Sequence, residues 1–324
     1  MRVIAVLASN AMQPRYAPPY SSDDTFLGTA REERHAGADA ARFAVAGVAF
    51  DAAVTNRPGA RFGPAAIRSA SRMLCDAVHP LYNSSPRDAL IDVGDLPLPM
   101  TSLEQHRAAL QAAAEKLLAS YHVCWLGGDH SITLPILRAH RACTGRPLAI
   151  VHLDAHCDAW SDHFGEPSGH GTWMREAIQE HLVVPEATVQ IGIRSPADVE
   201  TRQFVQISGG CVIGARELRG RENTQQLARV IDEVRTRVGR HRHPVYLTLD
   251  IDCLDPAFAP GTGTPEAGGL STAQVLTLLE ELDDLDWIGM DCVEVAPVYD
   301  HANITSLAAA TFVWTYLCGR LANS

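Results

Sequence analysis

The fold class follows from residues 148–158, which read Leu-Ala-Ile-Val-His-Leu-Asp-Ala-His-Cys-Asp. The first part is almost wholly apolar and has the length of a strand, and the second part carries carboxylates and an imidazole. A strand that is apolar on both faces is typical of a parallel sheet covered by helices on each side. Ligands bind at the carboxyl ends of such strands, so we expect the polar residues to line a binding crevice.

The same alternation of short apolar runs and longer helical patterns continues from residue 43 onward. We predict strands at residues 43–50, 89–93, 122–126, 148–153, 189–193, 211–213, 245–249 and 287–293. We predict helices at residues 64–75, 102–120, 132–142, 172–181, 222–238, 271–284 and 304–320. Ser271 and Gln274 have capping-box spacing, which indicates a helix start. These patterns predict an α/β protein with a mainly parallel sheet and helices on both faces.

The domain organisation is predicted to be simple, because no internal repeat or linker interrupts the pattern. Residues 43–324 are expected to form a single catalytic domain. Residues 1–42 begin with a short apolar run and become rich in Pro, Ser, Ala and charged residues. We expect this segment to be a partly irregular N-terminal arm on the surface.

The composition narrows the class of protein. A formal net charge of -11 argues against non-specific nucleic-acid binding, which depends on clustered Lys and Arg. No apolar run reaches the about 18 residues that a membrane helix needs, and the run at residues 3–8 is short for a signal peptide. The eight cysteines are dispersed without CxxC spacing, which favours buried free thiols in a reducing cytoplasm. We therefore expect a soluble, cytoplasmic protein.

Polar motifs follow four of the predicted strands. Gly-Gly-Asp-His-Ser occupies residues 127–131, Asp-Ala-His-Cys-Asp residues 154–158 and Asp-Ile-Asp residues 250–252, while Glu294 follows the last strand. Since parallel strands present their carboxyl ends at one edge of the sheet, we expect these acids and imidazoles to lie close together.

The spacing of these motifs predicts a metal centre. Asp154 and His156 are two residues apart, as are Asp250 and Asp252, and on extended backbone this spacing places both side chains on one face. Asp158 continues the series if the backbone stays extended. Four carboxylates packed together would repel one another unless cations were bound.

His130 adds a second imidazole to the predicted site. Four carboxylates and two imidazoles suit Mn²⁺, with Fe²⁺, Co²⁺, Ni²⁺ or Zn²⁺ as alternatives. Cys157 and Cys253 occupy alternate positions and are expected to point away from the metal.

Two adjacent metal ions can lower the pKa of a shared water and generate a hydroxide nucleophile. His170, in a Gly-flanked loop, is a candidate proton shuttle, with His163 as a weaker candidate. Glu294 could pair with a cationic group on the substrate. The proline- and glycine-rich residues 255–269 are expected to form a wall of the site. A non-catalytic metal-binding scaffold remains the alternative.

Taken together, the motifs at residues 127–131, 154–158, 170–172 (His-Gly-Thr) and 250–256 (Asp-Ile-Asp-Cys-Leu-Asp-Pro) resemble the ureohydrolase family. The family includes arginase, agmatinase, guanidinobutyrase, guanidinopropionase and formiminoglutamase. The resemblance implies an arginase-like three-layer α/β/α sandwich, two Mn²⁺ per subunit and a homotrimer or homohexamer.

The resemblance also implies roles for the site residues. One Mn²⁺ would be bound by His130, Asp154, Asp158 and Asp250, and the other by His156, Asp154, Asp250 and Asp252. A bridging hydroxide would attack the guanidinium carbon. Asp158 would orient that hydroxide, His170 would shuttle protons and Glu294 would hold the guanidinium.

Within the family, the sequence is most similar to the agmatinase branch. The features are Thr-Asn-Arg-Pro-Gly-Ala-Arg-Phe-Gly-Pro at residues 55–64, the His-Gly-Thr motif and Pro-Gly-Thr-Gly-Thr-Pro-Glu-Ala-Gly-Gly at residues 260–269. The expected reaction converts agmatine, a small cationic guanidine, to putrescine and urea. Ala159 departs from the Thr that relatives commonly carry there.

The sequence does not decide which chemical group lies at the far end of the substrate. Asp162 and Glu166 favour a cationic tail, whereas His163 and Arg175 favour a carboxylate such as that of guanidinobutyrate or guanidinopropionate. Arginase and formiminoglutamase activities are less favoured. The deacetylase branch of the fold is disfavoured because the chain has no His-His pair.

Overall fold

The computed structural model describes residues 24–31 and 41–323, and within them eight strands form one parallel sheet. The strand order is β2-β1-β3-β8-β7-β4-β5-β6, and every neighbouring pair is parallel. The strands are β1 (Phe43–Gly47), β2 (Leu90–Asp95), β3 (His122–Leu126), β4 (Leu148–Leu153), β5 (Val183–Ile193), β6 (Cys211–Gly214), β7 (Val245–Asp250) and β8 (Trp287–Val293). The predicted α/β class is confirmed, and the sheet is wholly rather than mainly parallel.

Helices connect the strands. They are α1 (Gly63–Ser71), α2 (Leu103–Leu118), α3 (Thr133–Thr144), α4 (Trp173–Gln179), α5 (Val199–Ile207), α6 (Ala215–Leu218), α7 (Thr224–His241), α8 (Thr272–Glu281) and α9 (Ile304–Ala322). The predicted capping box is present at the start of α8, where Ser271 Oγ accepts from the backbone N–H of Gln274. Neither α5 nor α6 was expected from the sequence. Only Thr201 and Val205 of α5 are buried, so it carries little apolar periodicity.

The helices cover both faces of the sheet and produce three layers. One buried apolar cluster joins the sheet to α1, α6, α7, α8 and α9, and the other joins it to α2, α3, α4 and α5. Strand β4 shows the reason: Ala149, Val151 and Leu153 belong to the first cluster, while Leu148 and Ile150 belong to the second. Because successive strand residues face opposite ways, an unbroken apolar run fills both cores.

The described part of the predicted N-terminal arm is packed against the domain. Phe26 and Leu27 are buried, and their backbone N–H groups donate to Asp92 Oδ2 and Ser71 Oγ, each over 2.7 Å. Asp92 also receives two hydrogen bonds from Arg68 of α1, at 2.8 and 3.0 Å. This buried ion pair joins the segment to α1 and β2. Residues 1–23 and 32–40 of the arm lie outside the described residues.

Two expectations from composition can be compared with the structure. All eight cysteines are free thiols, five of them buried, whereas Cys75 and Cys143 are exposed and Cys211 is half-buried. Among residues 24–31 and 41–323, none of the helices has the length and apolar character needed to cross a membrane.

The strand order places the polar motifs together. Strands β3, β8, β7 and β4 are consecutive in the sheet, although β8 follows β3 only after four intervening strands in sequence. Each of these four strands ends in one of the polar motifs. Their carboxyl ends therefore build one crevice from distant parts of the chain.

Candidate metal centre

A first cluster of possible metal ligands surrounds the His130 imidazole. Its Nδ1 lies 3.1 Å from Asp154 Oδ2, 3.0 Å from Asp158 Oδ2 and 3.2 Å from Asp250 Oδ2. All four side chains are buried. One nitrogen thus faces three carboxylate oxygens, and nitrogen and oxygen donors of this kind suit a divalent cation.

A second cluster surrounds His156. Its Nδ1 lies 3.3 Å from Asp154 Oδ1 and 3.1 Å from Asp252 Oδ2. Asp154 thus has one oxygen in each cluster and is placed to bridge two ions. Asp250 contributes Oδ2 to the first cluster, but its Oδ1 accepts from the N–H of Asp252 at 2.8 Å. Asp154 Oδ1 likewise accepts from the N–H of His156, so the bridging of two ions by either carboxylate stays a prediction.

The backbone that delivers these ligands is not extended as the spacing argument supposed. It bends at residues 155 and 156, and Asp158 has a left-handed φ of 49°. Asp252 lies in a 3-10 turn, Ile251–Cys253, that Asp250 caps with its side chain. Turns bring the carboxylates inward, and a left-handed residue other than Gly costs about 1–3 kcal/mol, which is typical of functional sites.

The hydrogen bonds of His130 leave its Nδ1 available as a ligand. His130 Nε2 lies 2.8 Å from Thr248 Oγ1, whose hydroxyl donates to Asp291 Oδ1 over 2.6 Å. Because that hydroxyl donates its only proton to Asp291, it must accept from His130 Nε2–H. Nδ1 is buried and makes no hydrogen bond. A histidine with one nitrogen engaged and the other facing carboxylates is the usual arrangement of a metal ligand.

The pKa shifts of the clustered side chains also favour a bound cation. Burial and the neighbouring Asp252 and Asp154 raise the pKa of Asp250 well above its usual range. Burial would lower the pKa of His130, but Asp154, Asp158 and Asp250 raise it well above its usual value. The clustered negative charge therefore attracts either protons or a metal ion, and a divalent ion supplies more charge from one atom. The donor set and the unpartnered Nδ1 of His130 both fit a metal centre.

His170 and Glu294 lie together beside this centre. His170 Nδ1 is 2.8 Å from Glu294 Oε1, which also accepts from the backbone N–H of His130 at 2.9 Å. Burial would lower the pKa of His170, but Glu294, Asp129 and Asp158 raise it to about 9. Cations bound at the neighbouring carboxylates would oppose that rise. Glu294 Oε2 is buried without a hydrogen-bond partner.

Thr55 holds the other side of the His170 ring. Its backbone N–H donates to Nε2 over 3.1 Å, and its Oγ1 lies 2.8 Å from the same nitrogen. An N–H can donate only to an unprotonated nitrogen, so this contact fits the neutral imidazole with its proton on Nδ1. The hydroxyl fits either protonation state. Thr55 was not identified from the sequence, because it acts across a separation of 115 residues.

Further residues that the sequence did not indicate position the clustered carboxylates. Trp173 donates from Nε1 to Asp158 Oδ2 over 2.6 Å. Arg194 donates to the backbone oxygens of Asp252, Cys253 and Leu254, and so fixes the turn that carries Asp252. These roles depend on which elements are adjacent. No local pattern in the sequence marks them.

The proline- and glycine-rich loop lies where the sequence predicted. Thr264 lines the cavity beside the two clusters and donates from Oγ1 to Asp252 Oδ2 over 3.1 Å. Arg57 donates to the backbone oxygens of Thr262 and Gly263, at 2.6 and 3.2 Å. Residues 255–269 are thereby tied to the segment that carries Thr55. Cys157 lies away from the clusters, with Sγ 3.8 Å from the Thr201 backbone oxygen.

A cavity of about 460 Å³ opens in front of both clusters. Its lining residues are Thr55, His156, Asp158, Trp160, Ser161, Asp162, His163, Phe164, His170, Gly171, Thr172, Ser195, Asp198, Thr201, Asp250 and Thr264. Asp162 and Asp198 add negative charge away from the metal ligands. No Lys or Arg is among these lining residues. The cavity is therefore suited to a cation.

The sequence offered both acidic and basic side chains as neighbours of the substrate tail, and only some of them line the cavity. Asp162 and His163 line its wall, whereas Glu166 and Arg175 do not. The Arg175 guanidinium lies 4.1 Å from the centre of the Phe204 ring and 3.6 Å from Glu200. Ala159 is fully buried in the apolar cluster beneath the site. The Arg175 side chain, which lies in α4, is thus directed away from the cavity.

Comparisons with known proteins found similar sequences and similar folds. The family model described as "Arginase family" matches residues 41–319. An agmatinase from Edwardsiella ictaluri is 45% identical over 275 residues, which are 84% of this chain and 85% of the relative. The solved structure of a proclavaminate amidino hydrolase from Streptomyces clavuligerus superposes with a TM-score of 0.84 at 37% identity, covering 95% of this chain and all of that one. A hypothetical agmatinase from Burkholderia thailandensis superposes at 0.81 with 38% identity, covering 97% of this chain and 94% of its own.

Proposed function

The chain belongs to the arginase family, and on that premise we propose that it hydrolyses agmatine to putrescine and urea. It is a hydrolase of the kind that acts on guanidino groups. The observation that carries the choice of agmatine is the cavity: it is lined by carboxylates and histidines, with no Lys or Arg among its lining residues. Agmatine is cationic at both ends, so both ends find complementary charge there.

The proposed cofactor is a pair of Mn²⁺ ions. His130, Asp154, Asp158 and Asp250 would hold one ion, and His156, Asp154, Asp250 and Asp252 the other. The mixed oxygen and imidazole donors support manganese rather than a thiolate-bound metal, because the cysteines lie outside both clusters. Such a pair, once bound, would supply a hydroxide nucleophile at neutral pH.

Glu294 would bind the guanidinium group. Its Oε1 is already used by His130 and His170, and its buried Oε2 has no partner. A planar guanidinium offers N–H donors that match such an oxygen.

His170 would carry protons during the reaction. Its ring is held between Glu294 and Thr55 and lines the same cavity as Asp158. Cleavage of the guanidinium leaves an amine that must be protonated, and an imidazole within reach can supply that proton. Asp158 would orient the nucleophile and pass its proton toward His170.

The tail of agmatine would extend toward Asp162 and Asp198. Both carboxylates line the cavity but belong to neither metal cluster. A carboxylated guanidine would place its negative end beside these acids and would be repelled. The likeness to a proclavaminate amidino hydrolase keeps a carboxylated substrate as the second candidate.

The test is urea release by the Mn²⁺-loaded protein with agmatine, 4-guanidinobutyrate, 3-guanidinopropionate and arginine at equal concentrations. We expect agmatine to give the highest kcat/KM. Asp162→Asn with Asp198→Asn should raise KM for agmatine and narrow its advantage over guanidinobutyrate, whereas Glu166→Gln, an acid outside the cavity, should not. Activity confined to a carboxylated guanidine would refute the agmatine proposal.

Two other outcomes separate the remaining alternatives. Hydrolysis of formiminoglutamate without urea release from any guanidine would favour a formiminoglutamase. Tight metal binding with no hydrolysis of any of these compounds would favour the scaffold.

We further propose that the enzyme works in the cytoplasm as a homotrimer or homohexamer. Exposed apolar side chains support self-association, notably Met73, Val78 and Leu81 between α1 and β2. Light scattering after size-exclusion chromatography measures the mass of the assembly, and a monomer at micromolar concentration would contradict the proposal.

A further inference from the structure

His152 is a fully buried histidine next to the metal centre that the spacing of the motifs did not single out. It lies in β4, two residues before Asp154, and its Nε2 is 2.7 Å from Asp154 Oδ2. Its distance to the carboxylates would also permit a direct role as a metal ligand. The hydrogen bonds on the far side of the ring distinguish the two roles.

The orientation of Gln190 fixes the proton on this ring. Gln190 Nε2 lies 2.8 Å from the backbone oxygen of Cys157 and 3.0 Å from His152 Nδ1. A carbonyl oxygen can only accept, so the amide nitrogen and not the amide oxygen must face Cys157. That same nitrogen then donates to His152 Nδ1. Nδ1 is therefore the acceptor, and the ring proton is on Nε2, facing Asp154.

We infer that His152 is a positioning residue for the metal bridge: it donates from Nε2 to Asp154 Oδ2 and aims that oxygen at the His130 cluster. The other oxygen, Oδ1, accepts from the backbone N–H of His156 at 2.5 Å and belongs to the His156 cluster. Each oxygen of the bridging carboxylate thus has its own donor. Because Nε2 carries the ring proton, it has no free lone pair in the ring plane, and His152 itself does not ligate the metal.

This inference rests on the metal centre of the proposed function but not on its substrate. Groups that orient metal ligands typically contribute about 10–100-fold to metal affinity. Since His152 holds the oxygen shared with His130, its loss should weaken the ion at the His130 cluster more than the ion at the His156 cluster. Gln190 acts one step further away, through the tautomer of His152.

The experiment is a calorimetric titration of metal-stripped protein with Mn²⁺, comparing His152→Phe with His152→Gln. Phenylalanine preserves a ring beside Trp173 and His130, which lie 5.0 and 5.1 Å from His152 between ring centres, but removes the donor. Glutamine places an amide N–H near the position of Nε2. We expect the wild type and His152→Gln each to bind two ions, and the affinities of the variant to match those of the wild type. We expect His152→Phe to bind one of the two ions with about 10–100-fold lower affinity.

Each other result contradicts the inference. Unchanged binding by His152→Phe would show that the donor is unnecessary, and an equal loss in both variants would indicate direct ligation or a packing role. If His152→Phe does not fold, Gln190→Leu keeps the imidazole and removes the donor that fixes its tautomer, together with the hydrogen bond to the Cys157 backbone oxygen. That variant should bind one ion more weakly than wild type, and unchanged binding would overturn the inference. A wild-type protein that binds no pair of ions would instead refute the metal centre, and the inference with it.

Discussion

The His170 imidazole donates from Nδ1 to Glu294 Oε1 over 2.8 Å, and this bond joins the loop that follows the metal motif to the end of β8. Both side chains are buried, and Glu294 holds a left-handed φ of 64°. The proposed proton carrier and the proposed guanidinium partner are therefore one hydrogen-bonded unit. Substitution of either residue should therefore disturb the position of the other side chain.

Glu294→Gln should weaken agmatine binding while leaving the metal in place. The amide keeps an acceptor for the His130 and His170 N–H groups but removes the negative charge that would meet the guanidinium. Truncating one partner of a buried charge pair costs about 2–5 kcal/mol, so kcat/KM should fall by about 30-fold or more. Steady-state kinetics with metal analysis would check this. Loss of bound Mn²⁺ in the variant would contradict the assignment.

His170→Ala should slow turnover without loss of metal. Its ring is hydrogen-bonded to Glu294 and Thr55, neither of which is a proposed ligand, so both clusters should persist. Loss of a positioned acid–base group lowers kcat by about 10²–10⁴-fold. Thr55→Val keeps the backbone N–H to Nε2 and removes only the hydroxyl, so it should lower kcat less than His170→Ala does. Metal content measured beside kcat tests both variants, and depleted Mn²⁺ in His170→Ala would refute the shuttle role.

Mn²⁺ binding should release protons and strengthen as the pH rises. Burial and neighbouring carboxylates raise the pKa of Asp250, and the three carboxylates raise that of His130, so the metal-free site holds protons near neutrality. A metal must displace them, and affinity therefore falls as the pH is lowered from about 8 to about 6. Calorimetry in two buffers of different ionisation enthalpy would count the protons. A flat affinity over that range would contradict the prediction.

His140 should make the fold sensitive to acid. Burial lowers the pKa of His140 to about 3, and its Nε2 has no hydrogen-bond partner. Below the unfolded pKa of about 6.5, the unfolded chain binds a proton that the folded state does not, so stability falls by up to about 1.4 kcal/mol per pH unit as the pH decreases.

His140→Leu should remove that share of the acid sensitivity. Urea unfolding of metal-stripped protein at several pH values between about 6.5 and about 4 would measure the slope for variant and wild type. His301→Leu, at an exposed histidine, is the matched control. Equal slopes for His140→Leu and wild type would show that this imidazole does not couple folding to pH.

The sequence by itself determined the class of fold and which acids and imidazoles cluster at the sheet edge, whereas their role as metal ligands stays a prediction. Apolar runs such as 148–153 must be covered on both faces, which requires helices on each side of a parallel sheet. The bounds of β3, β4 and β8 follow from the same pattern. Acids and imidazoles immediately after those runs could only lie at the carboxyl edge, because that position depends on chain direction alone.

Tertiary structure decided how those side chains are arranged and what lies around them. The order of β3, β8, β7 and β4 in the sheet brings His130, Asp250 and Asp154 to one point, and no local pattern specifies that order. The left-handed turn at Asp158 likewise departs from the extended spacing that drew attention to it. Periodicity records whether a residue is buried and on which face, but not its partner across the sheet.

The same limit explains the residues that only the structure revealed. The proton of His152 is fixed by Gln190, on the neighbouring strand β5, and His170 is held by Thr55 from a distant loop. The choice between Asp162 and Arg175 as a neighbour of the substrate depends on where α5 places Phe204. Hydrogen-bond direction and cavity charge arise from contacts between separate segments, so the clustered acids and imidazoles could be found in the sequence and their supporting residues could not.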